Sequence, residues 1–499
     1  MSRVHGEARS AARGLVWMSV GHVLSFLIAG SLMLVVPRVL GAVDFGRWIL
    51  YRSIIMLTGS VSGLGAVQTM ARFYVECRTR GQDGEAGRIF KAIAALRLAA
   101  ALVLSLAGLL IVRLQAGTGF TPAAAVCAAF SILCINQGAT FLLLPYAERR
   151  RDKLAALKVF EALLVPLTVL MAYRREGFPA VPWAVAGADL VFLGIAKWVS
   201  RAHRIRAVGW PDWATWRRLL SYMGLVAVTS TTFSMYMQAI PVCMGLAGFA
   251  AQEIAFIGLG IKLTDTLLRS LMSMSSAIFP ALTVALVSDG PDRARLWQGM
   301  VCRWGAVLLM AVAGAYFLLG GPGVQLVWGS AFAPAAPIIG LCLLSSIGLW
   351  LGSQFGQFAL LVNRPGRYAL SVILLYAGFA GAFLVPRFSV AQAMVAGSGI
   401  FAFSGYLFQR FTGTWHFREG KRLVWPALAL IWAWYLGERL AGGSSRMAGV
   451  LLWLLLISAV SLWSGSIRSV EIREILGHLR PKRKPVSPPP MQRERQEGA

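Results

Sequence analysis

Apolar residues run along this chain in blocks of about twenty, separated by short polar stretches, from residue 14 to residue 465. A block of that length crosses the ~30 Å hydrocarbon core of a bilayer as a helix. The blocks predict helices near 14–36, 48–69, 90–112, 122–146, 154–173, 180–199, 219–246, 252–287, 297–319, 334–361, 368–386, 390–409, 424–440 and 447–466. A membrane barrel would instead show segments of about ten residues with strict alternation, a pattern this sequence lacks. The block at 252–287 is too long for one perpendicular span; it is expected to tilt, to extend beyond the bilayer or to bend at Pro280. Residues 15–36 mimic the apolar part of a signal peptide, but the run is too long and lacks a clear A-x-A site, so it reads as a retained helix.

Composition agrees with this pattern. Of 499 residues, 57% are hydrophobic and 14% charged, with mean hydropathy +0.66, whereas a soluble chain carries about 25% charged residues. The net charge of +27 would suggest nucleic acid in a soluble protein. Here the bases sit mostly between apolar blocks, so topology explains them first, and no nucleic-acid partner is expected. Counted over alternate loops, Lys and Arg number 27 on the side of the N-terminus and 8 on the other. The positive-inside rule then puts both termini in the cytoplasm of a multi-pass inner-membrane protein. The opposite loops are all too short to fold as domains. The last segment (Arg480, Lys482, Arg483 and Lys484, then Pro488, Pro489 and Pro490) reads as a disordered cytoplasmic tail able to touch anionic headgroups. Six cysteines without CxxC spacing and five scattered histidines indicate no metal, no cofactor and no catalytic constellation.

A weak internal repeat divides the chain. Leu40-Gly41 before the second helix resembles Ala247-Gly248 before the eighth, at an offset of about 207 residues, and Trp48 and Phe256 follow at similar distances. The expected architecture is all-α and polytopic, with about fourteen transmembrane helices. Two six-helix lobes related by pseudo-two-fold symmetry are followed by a C-terminal helix pair. The expected boundaries are 1–13 for a cytoplasmic N-terminus, 14–210 and 211–411 for the lobes, 412–466 for the final pair and 467–499 for the tail.

Eight charged residues stand inside apolar blocks: Arg52, Arg97, Glu161, Asp189, Lys262, Asp265, Arg269 and Arg303. A mid-bilayer charge costs about 2.5–3.5 kcal/mol on insertion scales, so such residues face a cavity or pair with one another. Lys262, Asp265 and Arg269 are spaced to share one face of the eighth helix. They are either a charge ladder that joins helices or the polar wall of a central cavity in which Asp265 holds the two cations. Arg52 occupies the equivalent region of the first lobe. Arg97, Glu161 and Asp189 read equally well as interhelical ion pairs, and Arg303, near a helix end, is expected to snorkel. A cationic cavity suits phosphate, pyrophosphate or carboxylate.

Several stretches resemble a known family. Arg13-Gly14 and Trp17 open the first helix, and Pro37-Arg38-Val39-Leu40-Gly41-Ala42-Val43-Asp44-Phe45-Gly46 follows it. Gly248-Phe249 to Phe256 leads into the eighth helix, Ile278-Phe279-Pro280-Ala281-Leu282 lies near its end, and Trp328-Gly329 to Ala336 precedes the tenth. In order and spacing these resemble the polysaccharide-biosynthesis flippases, the Wzx-like branch of the multidrug/oligosaccharidyl-lipid/polysaccharide exporter superfamily, over residues 10–410. The chain departs from that pattern at Ala42-Val43, where the family often has proline, and in its basic tail.

The resemblance implies a flippase for undecaprenyl-diphosphate-linked oligosaccharide, serving exopolysaccharide, capsule or O-antigen synthesis by alternating access. Arg52, Lys262 and Arg269, with Asp265, would contact the substrate in a cationic cavity. Arg38 and Asp44 would pair or gate at the outer mouth. A polysaccharide polymerase and export machinery are the implied partners. Two other readings stay open. One is an exporter of the same superfamily for peptidoglycan precursor or drugs, although bases outnumbering acids favours an anionic substrate. The other is a membrane polymerase or ligase, which would need a larger outer loop or acids near the outer surface.

Overall fold

A computed structural model describes residues 2–63, 65–115, 119–147, 151–201, 209–230, 232–288, 291–361, 364–386, 388–410, 423, 425–430, 433 and 443–463. The described residues are helical with short turns, and none forms a strand. In chain order the long helices are α1 (Ser2–Ser62), α2 (Asp83–Leu114), α3 (Pro122–Phe141), α4 (Arg151–Glu176), α5 (Val181–Ser200), α6 (Trp213–Ser230) and α7 (Thr232–Leu246). They continue with α8 (Ala251–Ser288), α9 (Pro291–Trp328), α10 (Ala335–Leu361), α11 (Pro365–Phe383), α12 (Val390–Arg410) and α13 (Gly443–Trp463). Eight helices among the described residues are long and apolar enough to cross a membrane. The protein is a multi-pass membrane protein.

The expected first and second helices are one element, α1, broken at Gly41 by a left-handed residue (φ 71°, ψ 171°). Gly248, 207 residues later, makes a turn with φ 80°, and Gly119, Gly177 and Gly329 also have positive φ at turns on the same end of the molecule. Only glycine adopts that backbone without strain. This end is called the glycine-turn end below; the opposite, arginine- and lysine-rich end is the basic end.

The second expected helix ends early, at Ser62; after a turn with left-handed Gly65 (φ 65°), Ala66–Thr69 runs through a short π-helical turn, Met70–Tyr74, into Val75–Thr79. The block at 252–287 forms one helix of 38 residues, about 57 Å long at 1.5 Å per residue, so it extends past the bilayer. The expected helix at 424–440 is described only at residues 425–430 and 433. The tail from 467 lies outside the described residues.

Local chemistry fixes the helix starts. Thr121 accepts from Ala124 N (3.2 Å) ahead of Pro122 at the first helical position of α3. A reciprocal capping box opens α12: Gln392 N donates to Ser389 Oγ at 3.3 Å and Ser389 N to Gln392 Oε1 at 2.8 Å. Asp212 accepts from Thr215 N at 3.2 Å before α6, and the hydrogen bonds from Thr215 hold its carboxyl below the usual carboxylate range.

The helices up to α5 pack on one another, and α6 to α12 do the same. The two groups meet along α1, which lies against α7 and α8. Apolar side chains also cover the outside. On α2, Leu98, Leu102, Leu106, Leu110 and Leu114 make an exposed stripe every fourth residue, the face a helix turns to lipid. Close packing replaces the hydrophobic effect between such helices: a Cβ on Gly46 would sit 1.7 Å from the carbonyl oxygen of Ala251.

The two groups touch at both ends. At the glycine-turn end Trp328 Nε1 donates to Met33 O (2.8 Å), and Phe332 packs edge-on against Phe45 and Phe256. At the basic end Phe73 meets Tyr222 edge-on at 5.3 Å. Arg72 lies 4.8 Å from the Tyr222 ring centre and Arg218 4.7 Å from that of Phe73.

Candidate functional site

Six of the eight charged residues of the apolar blocks gather where α1, α4, α5 and α8 meet. Arg52 lies eleven residues past the Gly41 break, on the inward face of α1. Its Nη1 donates to Asp189 on α5, at 3.1 and 3.3 Å from the two carboxylate oxygens. Both side chains are buried. Arg52, a candidate for the cavity wall, is paired with Asp189. A desolvated guanidinium left unpaired would be far costlier than this pair.

On α8, Arg269 Nε donates to both oxygens of Asp265 at 2.8 and 2.9 Å, one helical turn apart. The spacing of four thus brings Arg269 and Asp265 into an ion pair on one face of α8. Asp265 is largely buried, but the Arg269 side chain is 58% exposed. Lys262, one turn before Asp265, has Asp265, Arg269 and Arg52 as charged neighbours, and Arg269 in turn has Glu161 of α4. Charges from both halves of the chain therefore act on one another. The group holds three bases (Arg52, Lys262, Arg269) and three acids (Glu161, Asp189, Asp265). Its acids balance its bases, unlike the base-rich total of the apolar blocks.

The excess bases lie elsewhere. Arg97 is buried on α2 and its Nη2 donates to Asn136 O at 3.4 Å. Asn136 also accepts from Ser62 Oγ, so these contacts tie α2, α3 and the end of α1 together. Arg303, expected to snorkel, is 2% exposed on α9. It stands 206 residues from Arg97, near the offset of the glycine turns, so each half has a buried arginine on its third crossing. The snorkel reading assumed lipid around that helix end; protein surrounds it.

At the glycine-turn end Asp44 takes Arg47 Nη1 at 3.0 Å and lies 3.0 Å from the Tyr173 hydroxyl of α4. Arg38 is exposed. The expected Arg38–Asp44 pair gives way to Arg47 because the segment after Gly41 is helical and places residues 44 and 47 on one face. Ser53 Oγ donates to Gln238 Oε1 of α7 at 3.1 Å, a buried contact across the seam that charge alone could not signal. Among the described residues no cluster of His, Cys, Asp and Glu could hold a metal ion.

No family model matches the sequence, and no curated protein matches it. Solved structures do. The chain superposes on the lipid II flippase MurJ in an inward closed conformation with a TM-score of 0.67 at 9% identity, over 92% of this chain and 100% of that one. A point mutant of the Vibrio cholerae MATE transporter VcmN gives 0.57 at 14% identity over 82% and 98%. An outward-facing multidrug resistance MATE family transporter of the MOP superfamily gives 0.56 at 12% identity, over 81% and 95%. The chain has the fold of these transporters.

Within that fold the charged group occupies the seam between the halves. The periodicity of α8 revealed its own ladder. The Arg52–Asp189 pair was hidden because its members are 137 residues apart and obey no shared spacing.

Proposed function

We propose that this protein is a flippase for lipid-linked oligosaccharide of the undecaprenyl-diphosphate class, working by alternating access. The observation that carries this reading is the Arg269 side chain, more than half exposed although its helix packs at the seam between the halves. With Lys262 two turns along the same helix, it offers donors to an anion next to the neutral Arg52–Asp189 pair. A pyrophosphate, with several acceptor oxygens and at least two charges, can draw Arg269 from Asp265 and gain from Lys262. The contacts between halves at the two ends would then open in turn, and the lobes at 14–210 and 211–411 would rock against each other. The basic end would face the cytoplasm.

In cells making the polymer, Arg269→Ala and Lys262→Ala should each abolish export at normal membrane abundance. Wild-type export by both variants would sink the cavity reading. Deletion should trap lipid-linked repeat units on the cytoplasmic leaflet; single units on the outer face would mean a polymerase instead.

A second reading is favoured by the extent of the match to MurJ, which spans that whole chain: the cargo is a lipid-linked peptidoglycan precursor. Both cargoes present a pyrophosphate, and the lipid-linked species that accumulates on depletion separates them.

A further inference from the structure

A second feature lies away from the seam. At the basic end α4 and α5 part to leave a groove of about 720 Å³, within the range of ligand sites. Leu157 and Phe160 of α4 and Ile195 and Trp198 of α5 form its apolar walls, and Lys153 and Arg201 stand at its mouth; among the described residues no acid lines it. Trp198 is 70% exposed. It continues the exposed stripe Trp183, Leu190 and Val191 of α5, so the groove opens toward lipid. Trp198 lies nine residues after Asp189, half a turn out of phase on a 3.6-residue helix. The groove is therefore on the side of α5 opposite the Arg52 pair.

We propose that this groove binds an anionic glycerophospholipid of the surrounding bilayer. Its acyl chains lie along Leu157, Phe160 and Ile195, and Trp198 sits at headgroup level, where indole rings concentrate. Lys153 and Arg201 flank the phosphate. Basic sites between helices near a membrane surface suit such headgroups. A zwitterionic headgroup brings its own cation and gains little from this pair. The occupant is a bilayer lipid because the groove faces away from the charged seam and opens sideways. Bound there, it would brace α4, which carries Glu161, against α5, which carries Asp189.

The test uses the full chain, purified in detergent and titrated with phosphatidylglycerol or phosphatidylcholine of identical acyl chains, with bound lipid counted by native mass spectrometry. Wild type should retain phosphatidylglycerol in preference. Lys153→Gln and Arg201→Gln should each reduce that preference about fivefold, and the double variant should erase it. Lys197→Gln removes an equal charge outside the lining and should leave it unchanged. Equal retention of both lipids by wild type would overturn the proposal, as would undiminished preference in the double variant. So would displacement of the phosphatidylglycerol by undecaprenyl diphosphate, which would make the groove a substrate site. The readout needs no transport, so it stands or falls separately from the flippase reading.

Discussion

The Arg52–Asp189 pair shows how a single side chain is constrained in this interior. Both members are buried and hydrogen-bonded, so removing one leaves the other charge stranded. Asp189→Asn should destabilise the protein by about 3–5 kcal/mol, read as a large drop in thermal unfolding temperature in detergent. Combining it with Arg52→Gln should recover most of the loss, because two neutral amides can bond to each other. Equal loss in the single and double variants would show that the pair does not act as a unit. The presence of charges at these positions was legible in the sequence, since an apolar block makes any charge conspicuous. Their partners were not. A helix encodes neighbours three and four residues away, which found Asp265–Arg269, while a contact between helices depends on how they pack.

Among elements, the block lengths were the readable part. α10 at Ala335–Leu361 and α12 at Val390–Arg410 match the apolar runs nearly end to end. One place where sequence and structure part is the end of the second expected helix. It breaks at Gly65, inside the apolar run, and residues 70–79, which carry Arg72 and Arg78, are helical although polar. Contacts between elements were less readable still. Gly46 closes the Pro37–Gly46 turn motif, whose glycines read as allowing close packing, but only the fold shows that α8 is the backbone it admits. Gly46→Ala should force the helices apart, lowering unfolding temperature and membrane abundance. Gly30→Ala in the same helix meets open space and should be neutral or stabilising by up to about 1 kcal/mol. Indistinguishable unfolding temperatures for the two would remove the argument from close approach.

For the whole molecule, the question is whether the halves separate in use. A Cβ at position 258 would lie 3.2 Å from the Cβ of Ile49, slightly inside the ~3.5–4.5 Å of a disulfide. In a background lacking the six native cysteines, Ile49→Cys with Gly258→Cys should cross-link under mild oxidation. Transport should stop and return on reduction. Unchanged transport in a fully cross-linked sample would exclude separation of α1 from α8. The repeat behind this two-part design was visible as Gly41 and Gly248; the charge balance at the seam was not, since it needs three dimensions to see which acids reach which bases.

The Gly46–Ala251 contact has a mechanical consequence. It lies at the first residue of α8, whose other end is some 37 residues and about 55 Å away. Two backbones in direct touch leave no side chain to compress between them, so in the proposed rocking the contact would serve as a fulcrum with α8 as its lever arm. A rotation of about 10° there would carry the far end through roughly 10 Å, the width of another helix. Lys262, Asp265 and Arg269, part-way along the arm, would sweep through a fraction of that distance. A small tilt would then let the charges change partners while making a large opening at the basic end.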